Sequence, residues 1–428
     1  MNGIKNVLIG IDGASYTMLE KLSEDGIMPN FYKLRKRGVF KRLMAPVPDN
    51  SAVSWSSIMT GENPGKHGIF GFTELIPDTY TMKFPNFSDL KAKPFWAQNP
   101  DKKYVIINLP FTYPVEKLNG YLISGFVSPD INRAVFPKKY LKFIKGIGYQ
   151  TDVDSWKAYK SKDIFFDEIK YVHNKRVEVY RHLWTNVKWD TFMIVFTESD
   201  RLGHFMQDAY EGHLAPYYDK YLEYFNEIDD EIAWIVDRMD DNDNLIMMSD
   251  HGMESIKAEV FLNTYLENSG YLILSDTEKK NYNNITKKTR AFALEPGRIY
   301  LNYKNRYPSG SVEFDDRDAV ISDLSLLFEK LTLNGERVIK DIIRREEIYE
   351  GESVALAPDL LLVSNKGFSL RGRIGKEKVF ESGGPLKGMH RGSDSFLYVK
   401  GDRQFITPER PYAEDILNIM KRLEDVQK

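Results

Sequence analysis

Four short runs of apolar residues punctuate the chain: NVLIGI at 6–11, YVIINL at 104–109, TFMIVF at 191–196 and LIMM at 245–248. Each is bounded by polar or turn-forming residues and is too short for a stable helix, so each reads as a strand buried on both faces of a parallel sheet. Between 217 and 239 the pattern changes. Tyr221, Phe225, Ile228, Ile232, Ile235 and Met239 recur at spacings of four and three, which predicts a helix with one apolar stripe facing the sheet. Strands alternating with helices predict an α/β fold, a mostly parallel doubly wound sheet flanked by helices. The stretches 70–100 and 111–188 break this alternation, as does a polar loop at 275–290 in the second half. The expectation is a single domain over 1–428 with cap or insertion segments at 70–100, 111–188 and 255–385, lying over the carboxyl edge of the sheet. No internal repeat is visible.

Composition narrows the function. A chain of 428 residues that is 42% hydrophobic, with 25 Phe and 25 Tyr, has ample apolar surface for a folded interior and is long enough to carry insertions on its core. The net charge of −3 provides no general field for nucleic acid or an anionic membrane. No run reaches the roughly 18 apolar residues of a membrane span, and Met1–Gly10 leads into a strand without the features of a signal peptide. These features imply a soluble, cytoplasmic protein. Cysteine is absent, which excludes disulfides, a thiolate nucleophile and Cys-based metal sites. Any metal must be held by His and carboxylates.

In open α/β sheets ligands bind beyond the carboxyl ends of the strands, so the polar residues that follow the apolar runs are the first candidates. Asp12 follows NVLIGI; Glu198-Ser199-Asp200-Arg201-Leu202-Gly203-His204 follows TFMIVF; Ser249-Asp250-His251-Gly252 follows LIMM. Carboxylates and imidazoles are ligands that suit Zn²⁺ or Mn²⁺. Asp200 and His204 are four apart and share one face if the chain is helical there, although such a pair by itself is common on helix surfaces. Asp250-His251 can splay to two sides at a strand end, or serve simply as a turn or cap. Pro48-Asp49-Asn50-Ser51 leads into a predicted helix that begins near Ser51 and ends at Gly61. A helix start offers free N–H groups to a phosphate, whereas a hydroxyl there is ordinarily a cap.

Taken in order, Asp12, the Ser51 segment running to Asn63-Pro64-Gly65-Lys66-His67-Gly68-Ile69, Asp200–x3–His204, Asp250-His251 and the late Gly388-Met389-His390 resemble the alkaline phosphatase superfamily. The likeness is greatest to its phosphodiesterase and nucleotide pyrophosphatase branch. Within that branch the NPGKHGIFGF segment at 63–72 and GRIYLN at 297–302 resemble a group of predicted phosphohydrolases or phosphomutases. The resemblance implies an alkaline phosphatase-like sheet between helices and a hydrolase of phosphate esters using two divalent metal ions, Zn²⁺ or alternatively Mn²⁺. It implies that Asp200, His204 and His390 hold one ion, that Asp12, Asp250 and His251 hold the other together with Ser51, and that Ser51 is the nucleophile of a phosphoryl-enzyme. Two such ions about 3.5–4 Å apart clamp the attacking and leaving oxygens of an in-line displacement. Lys66 and Arg201 are candidate phosphate contacts, while His67, His173, His182 and His213 are left outside the metal shell.

Phe72 stands where the branch commonly has an Asn that contacts a nonbridging phosphate oxygen. This leaves the expected phosphodiesterase alongside a phosphomonoesterase or phosphomutase. A sulfatase resembles a Cys- or Ser-x-Pro-x-Arg motif, and Ser51-Ala52-Val53-Ser54-Trp55 lacks both Pro and Arg. From another class, a non-catalytic ligand-binding protein would keep the ligands without turnover. The substrate expected is a small phosphate ester linked to a nucleotide, sugar or lipid. Its identity and any homo-oligomer stay open.

Overall fold

The computed structural model describes residues 4–401 and 408–426. Their contacts divide the described residues into two compact units, one of residues 4–62, 86–255, 385–401 and 408–426, the other of residues 63–85 and 256–384.

In the first unit the apolar runs form strands: β1 (Asn6–Ile11), β3 (Tyr104–Leu109), β6 (Thr191–Phe196) and β7 (Asn244–Met248), with every residue buried. Together with β2 (Gly38–Leu43), β4 (Gly120–Ser124), β5 (Val135–Phe136) and β10 (Ser395–Lys400) they make an eight-stranded sheet in the order β2-β10-β7-β1-β6-β3-β4-β5. The central strands from β7 to β4 are parallel. Antiparallel pairs close both edges, β2 with β10 and β10 with β7 on one side and β4 with β5 on the other.

Burial on both sheet faces explains the continuous apolar runs. Helix α2 (Lys162–Asn186) and helix α4 (Tyr217–Val236) supply part of the cover. The predicted stripe of α4 is buried as Tyr221, Phe225, Ile228, Ile232 and Ile235 in the main core, and Met239, just past the helix end, packs against it. Residues 111–188 contribute β4, β5 and α2 to this unit.

Register decides where chemistry can sit. Ile11 lies opposite Phe196 and Gly10 opposite Met248, so β1, β6 and β7 run out at one edge. The residues just past these strand ends must emerge side by side. Two short strands, β8 (Gly252–Ser255) and β9 (Gly388–Arg391), pair antiparallel beyond β7 with Met253 opposite His390.

The second unit has its own core, built on a four-stranded antiparallel sheet that includes Ala291–Leu294, Arg298–Leu301 and Leu360–Ser364. Here the 63–72 and 297–302 segments meet. A Cβ at Gly71 would lie 2.6 Å from Arg298 Cζ, and the buried guanidinium donates to the Thr73 carbonyl at 2.8 Å and to the Glu295 carbonyl. Among the described residues no helix is long and apolar enough to cross a membrane.

Ile194, fully buried at the middle of β6, tests the first unit's core. Ile194→Ala is expected to cost about 2–5 kcal/mol through lost burial and a residual cavity, read as a lowered urea midpoint.

Candidate metal centre

The first turns after β1, β6 and β7 bring the acidic residues together. Asp12 directly follows β1, and its carbonyl accepts the Ser199 hydroxyl at 2.6 Å, which braces the end of β1 to helix α3 (Glu198–Glu211). Gly13, at φ +71°, turns the chain in the left-handed region that glycine tolerates and aims its N–H at Asp250 Oδ1, 3.1 Å away. Asp200 and His204 lie on α3 as the four-residue spacing requires, with His204 Nε2 3.3 Å from Asp200 Oδ1. His251 follows Asp250 at the end of β7, and His390 arrives on β9 through its pairing with β8.

Ser51 opens helix α1 (Ser51–Thr60), but it is not the cap. Asn50 performs that task, its side chain accepting the Val53 N–H at 3.2 Å. The Ser51 hydroxyl is therefore free to face the centre, where it lies 3.1 Å from His251 Nε2.

These side chains form two groups capable of holding an ion, Asp200–His204–His390 and Asp12–Asp250–His251. Their atoms are arranged for that use. Each carboxylate has one oxygen engaged by the protein: Asp12 Oδ2 accepts Trp55 Nε1–H at 2.9 Å, Asp250 Oδ1 accepts the Gly13 N–H, and Asp200 Oδ2 accepts from Arg201 at 3.0 Å. The other oxygens, Asp12 Oδ1, Asp250 Oδ2 and Asp200 Oδ1, are buried without a hydrogen-bond partner. All three surround His251 Nε2, at 3.7, 3.2 and 3.8 Å.

The imidazoles show the same division. Nδ1 of His204, His251 and His390 meets the carbonyls of Gly388, Gly252 and Asp49 at 3.0, 3.0 and 2.8 Å. A carbonyl only accepts, so each Nδ1 carries the proton and each Nε2 is directed inward, the arrangement that orients a metal-binding histidine.

Electrostatics expose the need for positive charge. Burial, reinforced by Asp250 and Asp200, pushes the Asp12 carboxyl well above its ordinary range. Burial and Asp200 push Asp250 up to about 6. Burial lowers His251, and it lowers His204 to about 4. Asp200 goes the other way: burial opposes its ionisation but is outweighed by His204, His390 and Arg201. His204 Nε2 and His390 Nε2 are 3.0 Å apart, and they lie 3.3 and 3.5 Å from the same Asp200 Oδ1. Burial lowers the His390 pKa, but Asp200 outweighs it and the net direction is upward. Bare inward oxygens and inward imidazole nitrogens, all short of cations, fit divalent ions of the kind bound by His and carboxylate.

The other residues considered from the sequence have their own settings. The Arg201 guanidinium is held in a fork by Asp152 at 2.9 and 2.8 Å, in addition to its bond to Asp200, and lies over the Phe126 ring. Lys66 and Phe72 belong to the second unit, where Lys66 pairs with Glu350 at 3.2 Å. His67 is buried there with Nδ1 accepting the Ile69 N–H. His173 and His182 lie on α2, and His213 stacks on Tyr218.

Two contributors escape a reading of the sequence. Trp55 reaches Asp12 because a Cβ at Gly10 would lie 2.5 Å from the indole, so only a glycine in β1 leaves it room. Asp49 supplies the carbonyl for His390, while its carboxylate accepts the Gly392 N–H at 2.6 Å. The only local signal was Trp55 placed four residues after Ser51, which turns it to the same helix face.

With this geometry in view, the profile of the type I phosphodiesterase/nucleotide pyrophosphatase family spans residues 6–393, and the chain belongs to that family of phosphoester hydrolases. It is an enzyme of that class, and the family is metal-dependent. No curated protein matches the chain. Its fold is similar to that of phosphonoacetate hydrolase from Sinorhizobium meliloti 1021, solved in complex with phosphonoacetate. The TM-score is 0.66 at 14% identity, covering 99% of this chain and 96% of that chain. Murine ectonucleotide pyrophosphatase/phosphodiesterase 5, solved as an inactive variant with AMP, is similar with a TM-score of 0.57 at 14% identity over 99% and 95% of the two chains. The human counterpart gives 0.56 at 13% identity over 98% and 95%.

Trp55→Phe retains a ring but leaves the second Asp12 oxygen unpaired. It is expected to lower stability by about 1–3 kcal/mol, measured by urea unfolding of the metal-free protein.

Proposed function

We propose that the protein hydrolyses small phosphate diesters through a covalent phosphoserine at Ser51, using two divalent cations. Asp200, His204 and His390 would hold one ion, and Asp12, Asp250 and His251 the other, together with Ser51. The observation that carries this reading is the convergence of three unpaired carboxylate oxygens on the imidazole nitrogen that contacts Ser51 Oγ.

A metal-free Ser–His hydrolase is the simplest rival, because Ser51 can donate to His251 Nε2. In that arrangement His251 Nδ1 would rest on a backbone carbonyl rather than a carboxylate, and the charges of Asp12, Asp200 and Asp250 would have no use. The two-ion reading employs all of them.

When bound, the ions would supply Lewis acidity that eases loss of the Ser51 proton and neutralises the departing oxygen. Ser51 Oγ attacks phosphorus as its proton passes to solvent, the ester oxygen leaves on the opposite side and takes up a proton from water, and a phosphoserine forms. Water then attacks phosphorus and releases the Ser51 hydroxyl and the phosphate product. The first turn of α1 would offer its remaining backbone N–H groups to the phosphoryl oxygens beside Ser51, the Val53 N–H being already taken by Asn50. Arg201, whose donors reach Asp152 and Asp200, orients Asp200 in this scheme instead of gripping phosphate. Lys66 and Phe72 have no assigned step.

The phosphonoacetate and AMP held by the structurally similar proteins are small anionic phosphorus compounds, and the substrate class proposed here is of that kind. Zn²⁺ is the metal proposed, with Mn²⁺ the alternative. Monoester hydrolysis or phosphoryl retransfer would use the same Ser51 chemistry with a different acceptor or substrate charge.

The test is turnover of bis-p-nitrophenyl phosphate against p-nitrophenyl phosphate with Zn²⁺ or Mn²⁺ loaded. Faster diester cleavage is expected, and Ser51→Ala should reduce it by about 10³-fold or more in a protein that stays folded and still takes up metal on its remaining ligands. Monoester preference would move the assignment to a phosphatase or mutase, and full activity of Ser51→Ala would sink the nucleophile. Removing the ions with chelator should abolish turnover and lower the unfolding midpoint. Restoring each to about 100 times its Kd should return about 2.7 kcal/mol of stability per site.

A further inference from the structure

Behind the first turn of α3 lies a buried polar assembly that takes no part in the proposed chemistry. Arg176 of α2 and Glu198, the first residue of α3, form an ion pair at 2.8 Å with both side chains fully removed from solvent. The guanidinium also donates to Tyr149 Oη at 2.9 Å and to Thr197 Oγ1 at 3.4 Å. Asn108, at the end of β3 with φ +61°, closes the set: its amide donates to Thr197 Oγ1 at 2.9 Å and to the Val195 carbonyl at 3.2 Å, and its Oδ1 accepts from Tyr149 at 3.3 Å. Glu198 Oε2 is buried without a partner.

Stability does not account for such a pair. Taking two charges out of water is costly, and well-packed apolar residues in their place are often as stable or more so. What the assembly does provide is registration. It ties α2, the end of β3 and the end of β6 to residue 198, two positions before Asp200, and Arg201 and His204 follow on the same helix. The Asp12 and Asp250 carboxylates take their orientation from other groups, Trp55 and the Gly13 N–H, and Asp12 meets α3 only through its backbone carbonyl, which accepts the Ser199 hydroxyl.

We propose that Arg176 and Glu198 are a positioning pair that aims the Asp200–His204–His390 half of the metal centre and leaves the other half unaffected. This rests on the two-ion reading above, and it predicts an asymmetry that a general structural role does not.

The experiment is a calorimetric Mn²⁺ titration of the metal-free full-length protein, comparing wild type with the double variant Arg176→Met/Glu198→Leu and with Glu198→Gln, alongside urea unfolding of each. Wild type should take up two ions. The double variant should unfold at the wild-type midpoint or above, bind one ion unchanged and the other about tenfold or more weakly, and lose kcat on bis-p-nitrophenyl phosphate with little change in KM. Glu198→Gln, which keeps an acceptor for Arg176 and guards against a double variant that fails to fold, should weaken the same site to a smaller degree. Two unaltered sites in a folded variant, or equal weakening of both, would overturn the positioning role. Absence of metal uptake by wild type would instead overturn the two-ion reading on which it rests.

Discussion

Mutual repulsion of Asp12, Asp200 and Asp250 inside a dry protein interior is the constraint around which the first unit is organised. Parallel neighbouring strands lie only about 4.8 Å apart, so side chains that follow β1, β6 and β7 in register cannot avoid one another. Away from water, like charges so placed cannot all ionise without compensation. The protein settles half of the problem itself by giving one oxygen of each carboxylate to Trp55, the Gly13 N–H or Arg201. The remaining oxygens define, by their lack of partners, where positive charge has to go.

The histidines follow a complementary rule. Their outer nitrogens are fixed by carbonyls of Gly388, Gly252 and Asp49, which no side-chain substitution can delete. Their orientation therefore depends on the course of the backbone, and especially on the pairing of β8 with β9. Two side chains and one backbone N–H set the carboxylates, whereas main-chain carbonyls alone set the imidazoles. This divides the vulnerability of the centre between two kinds of mutation, those that remove a donor and those that shift a strand.

The parts readable in the sequence were those with a local physical signature. NVLIGI, YVIINL and TFMIVF coincide with strands because burial on both faces requires unbroken apolar runs. Asp200 and His204 share a helix face because four residues make about one turn. Pro48-Asp49-Asn50 ahead of Ser51 marks a helix start that the structure has at that position, but only the structure shows that Asn50 takes the capping role and frees the hydroxyl. Trp55 with Asp12, Arg176 with Glu198, and His390 with Asp49 are pairings made by tertiary packing, and nothing in their local sequence names the partner. The same is true of Arg201, whose charge suggested phosphate but whose donors face Asp152 and Asp200.

The pairing of Met253 with His390 also has a consequence for synthesis. Residues 256–384, which lie between those strands, form most of the second unit. During translation Asp12, Ser51, Asp200, His204, Asp250 and His251 all leave the ribosome before that long stretch is made, while His390 comes after it. The acidic residues of the candidate centre are thus made well before its last imidazole, and the full set of candidate ligands exists only in a chain that already carries residues 256–384.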